Sequence, residues 1–106
     1  MAEIIWAEPA LSDLDAIADY IALDNAVAAA QLVRKVLGHI EQLSEHPQSG
    51  PVLPELPGWR YRQIVEPPCR VIYRHEQGRV VILHVIRSER LFRPRLLAKR
   101  RKPTKK

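Results

Sequence analysis

The spacing of apolar residues in the first part of the chain predicts a short strand followed by a helix. Residues 3–7, Glu-Ile-Ile-Trp-Ala, predict the short strand. Pro9 follows it and suits a first helical turn, where its missing N–H leaves no hydrogen bond unmade. Apolar residues then recur at helical spacing, at Leu11, Leu14, Ile17, Ala18 and Ile21. The pattern therefore predicts a helix that buries one face and leaves Asp13, Asp15 and Asp19 off it.

A second helix is predicted after only one or two connecting residues. Asp24 or Asn25 can cap its N-terminus, and Pro47 ends it. Its apolar stripe comprises Ala29, Leu32, Val33, Val36, Leu37, Ile40 and Leu43. Because the connection is so short, we expect the two helices to form an antiparallel hairpin.

Three β-runs follow a connection over residues 47–58 that is rich in proline and glycine. Two tight turns, Pro67-Pro68 and Gln77-Gly78, separate these runs, which cover residues 59–66, 69–76 and 79–87. The last run is almost continuously apolar, so we expect a central strand covered on both faces, with the first strand beside it. The predicted fold class is α+β, in the order β-α-α-β-β-β, with the helix hairpin packed on one face of a mainly antiparallel four-stranded sheet.

Two-residue loops would fix the pairing of the last two strands, unless a bulge shifts it. The predicted pairs are Arg74 with Val81, Ile72 with Leu83, and Arg70 with Val85. One face would then carry three arginines and four apolar residues, namely Arg70, Arg74, Arg87, Ile72, Val81, Leu83 and Val85. The face without arginine would pack on the helices and carry Val71, Tyr73, Val80, Ile82, His84 and Ile86. A half-apolar face with arginines is typical of a docking surface, although the C-terminal residues could also fold over it.

Charge is divided unevenly along this chain of 106 residues, whose net charge is +5. Residues 1–50 contain eight acidic and two basic residues, whereas residues 51–106 contain four acidic and fifteen basic ones. The positive region could attract nucleic acid or an acidic protein. We expect a single domain over residues 1–98 and a basic, disordered tail over residues 99–106, which either keeps the protein in solution or binds a partner.

The sequence lacks the motifs of common enzyme classes. It contains no glycine-rich phosphate loop, no Gly-x-Ser-x-Gly and no His-Glu-x-x-His, and its histidines lack metal-ligand spacing, so we expect neither a cofactor nor a metal. His84 and Cys69 are interpreted as core residues rather than as a base and a nucleophile, and Glu66, Glu76 and Glu89 as solvated. A single cysteine and the absence of a long apolar run indicate a cytoplasmic protein.

Several short motifs, taken in order over about residues 3–92, resemble those of the RelE/ParE superfamily of toxins from bacterial type II toxin–antitoxin modules. The motifs are Ile5-Trp6 ahead of Ala10-x-x-Asp13-Leu14-x-x-Ile17-x-x-Tyr20-Ile21, then Leu43-x-x-x-Pro47-x-x-Gly50, Leu56-Pro57-Gly58-x-Arg60, Arg70-Val71-Ile72-Tyr73-Arg74 and Val81-Ile82-Leu83-His84-Val85-Ile86-Arg87. The resemblance implies a toxin that a cognate antitoxin neutralises.

Members of this superfamily differ in their target. RelE-like members are ribosome-dependent mRNA endonucleases that use several basic residues and usually a tyrosine near the C-terminus, whereas ParE-like members poison DNA gyrase. Arg70, Arg87 and Arg90 match or lie near the basic positions of the RelE pattern, but its paired lysines are missing and no tyrosine follows Tyr73. The chain resembles ParE more closely, which implies a gyrase inhibitor that blocks replication by binding.

The resemblance also suggests which residues contact partners. An acidic, amphipathic antitoxin segment would contact three basic and three apolar residues, namely Arg70, Arg74, Arg87, Ile72, Val81 and Leu83. The candidate gyrase contacts are Trp59, Arg60, Arg87 and Arg90. Two alternatives stay open. One is a ribosome-dependent endonuclease, in which Arg70, Arg87 and Arg90 hold the phosphate and His84 acts as the base. The other is a nontoxic nucleic-acid-binding module.

Overall fold

The computed structural model describes residues 1–87, in which two helices pack on one face of a four-stranded sheet. The strands and helices are β1 (Glu3–Trp6), α1 (Glu8–Ala22), α2 (Ala26–Gln42), β2 (Tyr61–Glu66), β3 (Cys69–Glu76) and β4 (Arg79–Arg87). The strand order is β1-β4-β3-β2, with β1 parallel to β4 and the other neighbours antiparallel. The predicted fold class and element order are confirmed. The predicted domain boundary at residue 98 and the basic tail lie outside the described residues.

Both helices begin where the sequence predicts. Pro9 stands in the first turn of α1. The Asn25 side chain accepts a hydrogen bond of 2.9 Å from the Ala28 N–H and so caps α2. The predicted apolar stripes are wrong at Leu11 and Leu37, which are 47% and 43% exposed. In α1, Leu14, Ile17 and Ile21 pack in the core as predicted, whereas Ala10 is buried and Asp13 contacts β4.

Each face of the sheet has its own hydrophobic cluster. The larger cluster joins the helices to the sheet and includes Leu14, Leu32, Val36, Val71, Val80 and Ile82. The second cluster, on the opposite face, contains Leu53, Tyr61, Ile72, Leu83 and Ile86, with Leu56 and Val81 packed against it. Leu53 and Leu56 belong to the connection between α2 and β2. We call residues 51–58 the strap, because this segment crosses the sheet face and covers part of it.

The strap contradicts the prediction that this face is open. Ile72 and Leu83 are only 0% and 1% exposed, and both pack in the cluster to which the strap contributes. The four prolines of residues 47–58 suggested only a surface connection. Leu53, which is buried, and Leu56, which is partly buried, supply the apolar surface that covers the two residues.

A β-bulge shifts the pairing of β3 with β4. The register changes between Ile72 and Tyr73. On the turn side of the bulge, Arg74 pairs with Val81 as predicted. Beyond the bulge the two other predicted pairs, with Leu83 and Val85, are wrong, and the observed pairs are Ile72 with His84 and Arg70 with Ile86.

The bulge also reverses the faces of the last residues of β4. A bulge sets two residues of one strand opposite one residue of its partner, so the alternation of sides changes beyond it. Val85 therefore joins the cluster on the helix side, and Ile86 joins the cluster under the strap. Arg87 was predicted to share a face with the other two arginines of this hairpin. Its guanidinium instead lies over the ring of Tyr20 in α1, 5.1 Å from the centroid.

The turn between β3 and β4 is the predicted two-residue loop. Gln77 and Gly78 have φ angles of 53° and 74°, and Glu76 pairs with Arg79 across the loop. Positive φ at both central residues is typical of a type I′ turn, whose twist matches that of a β-hairpin. The register error therefore arises inside the hairpin and not at its turn.

Tyr73 anchors the chain just before the strap. Its hydroxyl donates to the carbonyl oxygen of Pro47 at 2.9 Å and accepts from the Gly50 N–H at 3.1 Å. Burial raises the pKa of Tyr73, because the phenolate would lose its hydration. The hydroxyl stays protonated at neutral pH and can donate, so this side chain ties the start of the connection to β3.

Candidate partner-binding surface

The residues predicted to contact partners or to carry chemistry fall into three groups in the structure. The first surrounds Arg70 under the strap, the second is the His84 pair beside α1, and the third is an exposed surface at Trp59. The Gln63 N–H donates to the Pro51 carbonyl oxygen at 3.0 Å, which fixes the start of the strap beside β2. The strap therefore lies next to residues of both the first group and the third.

Three acceptors surround Arg70. Its Nη1 and Nη2 donate to Oε2 and Oε1 of Glu55 at 3.0 and 2.9 Å, and its Nε donates to Gln63 Oε1 at 2.7 Å. Two parallel hydrogen bonds between a guanidinium and a carboxylate form one of the stronger polar contacts in proteins. The hydrogen bond from Arg70 holds the pKa of Glu55 below its usual range. We call these three residues the Arg70 clamp.

Sequence reasoning missed Glu55. The signal was present in the chain, since Glu55 stands between Leu53 and Leu56 and is the single charged residue of the strap. An acid flanked by two leucines in a proline-rich segment is unlike a solvated loop. Which cation it meets depends on the path of the strap across the sheet, and no local pattern specifies that path.

Arg74 is also paired within the domain. Its Nε lies 3.1 Å from Glu76 Oε2, and its side chain is 6% exposed. The other oxygen of Glu76 accepts from Arg60 Nη1 at 2.9 Å. Glu66 contacts His39, with 3.2 Å between Oε1 and Nδ1. The prediction that Glu66 and Glu76 are solvated is therefore wrong, and Glu89 lies outside the described residues.

His84 is a hydrogen-bonded core residue, as predicted. Its Nδ1 lies 2.6 Å from Asp13 Oδ2, and the same carboxylate oxygen accepts from the Val85 N–H at 3.0 Å. The His84 side chain is 7% exposed. The prediction that Asp13 lies off the buried face of α1 is wrong, because its carboxylate binds both the imidazole and the backbone of β4. A carboxylate can orient an imidazole for proton transfer, but this pair is nearly closed to solvent.

Cys69 lies at the start of β3 and is 0% exposed, which confirms its interpretation as a small core residue. Within residues 1–87, no three side chains of the metal-ligating types converge. No helix in that range is both long enough and apolar enough to cross a membrane.

An aromatic and basic surface lies where the strap meets β2, with Trp59 and Arg60 exposed and Tyr61 buried beneath them at 3% exposure. The Trp59 ring stacks on Tyr61, with 6.2 Å between the ring centroids and 14° between the planes. Trp59 is 51% exposed, and the Arg60 side chain is 74% exposed. Tryptophan, tyrosine and arginine are the residue types most enriched among the residues that dominate binding at protein interfaces. We call these three residues the aromatic ledge.

The structure does not bring together all the candidate gyrase contacts. Arg87 pairs with Cys69 at one end of β3, whereas Tyr61 of the ledge pairs with Arg74 near the other end. These positions are five residue steps apart along β3, or roughly 17 Å at the usual rise per residue. Arg90 lies outside the described residues. Arg87 is therefore remote from the aromatic ledge.

The six predicted antitoxin contacts do not form one open face. The strap covers Ile72 and Leu83. Acidic side chains of the same chain hold Arg70 and Arg74, and Arg87 lies on the helix side. Contact between these residues and an antitoxin stays a prediction. Some of the six are covered or paired within the chain, whereas Val81 and Arg87 are half-buried.

Comparison with known proteins adds a family to this geometry. Residues 4–92 match a family described as the ParE toxin of the type II toxin–antitoxin system, parDE. The chain belongs to this ParE toxin family. The superfamily resemblance inferred from the sequence motifs is thereby confirmed. The protein is a type II toxin of the ParE/RelE kind, and its family implies a cognate antitoxin. This assignment argues against the alternative of a nontoxic nucleic-acid-binding module.

Two relatives of this ParE-family toxin illustrate the range of the superfamily. Toxin RelE2 of Caulobacter vibrioides is 32% identical over 95 residues, which cover 86% of this chain and 100% of the relative. A solved structure described as the chromosomal ParDE TA system from P. aeruginosa matches with a TM-score of 0.70 and 28% identity. That match covers 84% of this chain and 98% of the other. The two names come from both branches, so a relative's name does not identify the target of this toxin.

Proposed function

We propose that this toxin binds DNA gyrase in the bacterial cytoplasm and blocks replication without catalysing a reaction, until its antitoxin neutralises it. The main support is the state of the residues that a ribonuclease would need. Arg70 donates to Glu55 and Gln63, and His84 is paired with Asp13 and 7% exposed. These groups serve the fold and offer little to a substrate.

The same residues are also divided between the two faces of the sheet. Arg70 is bound by the strap on one side, whereas His84 and Arg87 contact α1 on the other. Cleavage of RNA would require a phosphate ligand and a proton acceptor that converge on one reacting group. Binding requires only an exposed surface of suitable chemistry, and Trp59 and Arg60 of the aromatic ledge provide exposed side chains of suitable types.

We also propose that the antitoxin contacts those of the predicted residues whose side chains are accessible to a partner. Val81 and Arg87 are half-buried and stay candidate contacts. An acidic antitoxin segment would neutralise Arg87. Arg70, Arg74, Ile72 and Leu83 would become contacts only if the strap or the acids that hold these residues moved.

Purified toxin tests the proposal in two parallel assays, supercoiling by gyrase and cleavage of mRNA on translating ribosomes. We expect inhibition of supercoiling at near-stoichiometric toxin and intact mRNA. Trp59→Ala should weaken the inhibition about tenfold or more, as expected for a residue central to an interface. Val65→Ala is the matched control, because Val65 is 46% exposed on β2 but lies outside the ledge. Cleaved mRNA with unaffected gyrase would overturn the proposal.

A second candidate function is ribosome-dependent mRNA cleavage, which the Asp13–His84 pair favours. Under this hypothesis the Asp13 carboxylate orients His84 as the base, while Arg70, Arg87 and Arg90 hold the scissile phosphate. His84→Gln should then abolish cleavage, and Trp59→Ala should leave it intact. Circular dichroism of both variants would separate lost chemistry from lost folding.

A further inference from the structure

The strap resembles, in its own sequence, the partner segment predicted for this face of the sheet. That predicted partner was an acidic, amphipathic segment that buries apolar residues and pairs with arginine. Leu53 and Leu56 pack in the cluster on this face, and Glu55 between them binds Arg70 through two hydrogen bonds. The strap therefore packs against the apolar residues of this face and pairs with Arg70, as a partner segment was predicted to do.

Backbone hydrogen bonds connect the clamp to the aromatic ledge. The Leu53 N–H donates to the Tyr61 carbonyl oxygen at 2.9 Å, and the Leu56 N–H donates to the Leu53 carbonyl oxygen at 3.1 Å. The Trp59 N–H then donates to the Leu56 carbonyl oxygen at 3.1 Å. Gly58, at φ 89°, permits the bend that precedes Trp59. Trp59 is thus attached to a short series of turns, and Glu55 is the residue of that series that is bonded to the sheet through its side chain.

We propose that the ion pair of Glu55 with Arg70 positions the aromatic ledge. Arg70 acts through Glu55: it holds the strap, and the strap presents Trp59 stacked on Tyr61. A partner that binds a preorganised side chain loses less conformational entropy than one that must order it. Arg70 is then a positioning residue and does not itself touch the target. The role in target binding rests on the proposed function above, whereas the effect on Trp59 does not.

The low exposure of Arg70 and the hydrogen bonds that it already makes favour a positioning role over direct contact with the target. The Arg70 side chain is 12% exposed, and all three of its nitrogens already donate to acceptors of the same chain. A phosphate or a partner carboxylate would have to displace Glu55. The Arg60 side chain, at 74% exposure, is the arginine of this region that a partner can reach directly.

The first test observes Trp59 without any partner. The chain has two tryptophans, so a Trp6→Phe background leaves Trp59 as the single reporter. Emission wavelength and quenching by acrylamide would be compared for Glu55→Gln, Arg70→Gln and the charge-swapped pair Glu55→Arg with Arg70→Glu. We expect each single variant to shift the emission to the red and to increase quenching, and the swapped pair to restore both values.

Arg79→Gln is the matched control for this series, because Arg79 is an exposed arginine of the same sheet. It should leave the Trp59 signal unchanged. Far-UV circular dichroism would show that each variant is folded, and Glu55→Gln keeps the size and shape of the side chain if Arg70→Gln does not fold. Single variants with the Trp59 signal of the parent would overturn the proposal.

The second test measures inhibition of gyrase supercoiling by the same variants. We expect Glu55→Gln and Arg70→Gln each to weaken inhibition about tenfold, as for the loss of a charged bidentate contact that orders a binding site, and the swapped pair to recover it. If Arg70 touched the target, Glu55→Gln would retain inhibition and the swap would not recover it, which would overturn the positioning role. If the parent toxin did not inhibit gyrase, the proposed function would fail, and the Trp59 signal alone would decide the inference.

Discussion

Gly50 occupies a place where the backbone of the connection, β2 and Tyr73 meet closely. A Cβ atom at Gly50 would lie 2.3 Å from the Gln63 carbonyl oxygen and 2.8 Å from the Tyr73 hydroxyl. Both groups are fixed, because the first belongs to β2 and the second anchors Pro47. A side chain of any size therefore displaces the segment that leads into the strap.

Replacing Gly50 by alanine should lower the free energy of unfolding by about 2 kcal/mol or more, the upper part of the range for an overpacked site. Gly38→Ala is the control, because a Cβ at this exposed position of α2 meets nothing within 4 Å. That variant should gain about 0.5–1 kcal/mol, since alanine loses less backbone entropy in a helix. Urea unfolding measures both values. A Gly50→Ala protein as stable as the parent would show that this close approach is not rigid.

Glu55 makes the stability of the clamp depend on pH. The hydrogen bond from Arg70 lowers the pKa of Glu55 below its ordinary value of 4.5. A carboxyl group with a lowered folded-state pKa stabilises the fold above the unfolded-state value and loses this contribution as the pH falls through the folded-state value. The contribution is therefore complete at pH 7 and disappears in acid.

We expect the parent protein to be more stable than Glu55→Gln at about pH 7, and the two to converge in acid, as the pH falls through the lowered folded-state pKa of Glu55. Urea titrations at several pH values check this. The same substitution in an Arg70→Gln background should show a smaller pH dependence, because the partner that lowers the pKa is absent. Equal differences at all pH values would contradict the assignment.

Individual residues could be predicted where their neighbours in sequence determine their surroundings. The apolar strand around His84 and the strand start at Cys69 indicate burial, and both residues are buried. The acids that bind Arg70 and His84 could not be predicted in this way. Glu55 lies 15 positions from Arg70, and Asp13 lies 71 positions from His84. Only the packing of the strap and of α1 against the sheet brings these partners together.

Helix α1 is joined to β4 by a polar contact as well as by apolar packing. The Asp13 carboxylate accepts from the Val85 N–H at 3.0 Å and contacts the His84 ring. Strand β1 ends at Trp6, and the Ala7 N–H donates to the Ile82 carbonyl oxygen at 2.9 Å. Asp13 thus provides an acceptor for the β4 backbone just beyond the last residues that β1 covers.

Asp13→Ala should lower the free energy of unfolding by about 1–3 kcal/mol, because it removes the acceptor of a buried backbone donor. Asp19→Ala is the control, since Asp19 is an exposed residue of the same helix. Its effect should stay within about 0.5 kcal/mol. Both values come from urea unfolding followed by circular dichroism. Equal effects of the two substitutions would mean that the Asp13 contact adds nothing to stability.

The two-residue turn of the β3–β4 hairpin was predictable, but the bulge within the hairpin was not. The turn residues Gln77 and Gly78 carry a local signal, since glycine readily adopts positive φ. Residues 80–86 of β4 are apolar apart from His84, so a shift of one position leaves an apolar residue on either face. The sequence pattern therefore does not show which face of the sheet each residue of β4 occupies beyond the bulge. Packing against the two clusters determines this.

The two hydrophobic clusters share β3 and β4, so we expect the described domain to unfold as one unit. Leu32 belongs to the helix-side cluster and Leu53 to the cluster under the strap, and both are buried. Leu32→Ala and Leu53→Ala should each cost about 2–5 kcal/mol. In both variants, tryptophan fluorescence and circular dichroism should report the same transition.

Leu23→Ala is the control for this pair, because Leu23 is 81% exposed. Its effect should stay within about 0.5 kcal/mol. If Leu53→Ala gave a separate early transition by fluorescence, the strap would be an independent unit. The whole-domain expectation would then fail.

Folding also brings charged side chains of the chain together in ion pairs. Within residues 51–87, three arginines form ion pairs with acids of the same segment, namely Arg60, Arg70 and Arg74. These pairs leave the net charge of residues 51–87 unchanged, but they hold three of its arginines against acids of the same chain. Composition does not show which arginines are paired, because pairing depends on which side chains meet in the folded domain.

The sequence by itself determined the order of strands and helices, the starts of the helices at Pro9 and Asn25, the two-residue turn at Gln77-Gly78 and the family. These features follow from periodicity, turn chemistry and short motifs, each contained within a few consecutive residues. The tertiary structure alone decided that the strap covers the sheet face, that the bulge moves Arg87 to the helix side, and that Glu55 and Asp13 bind their partners. These outcomes depend on contacts between distant segments, whose free energy is set by packing and by which polar groups become buried together.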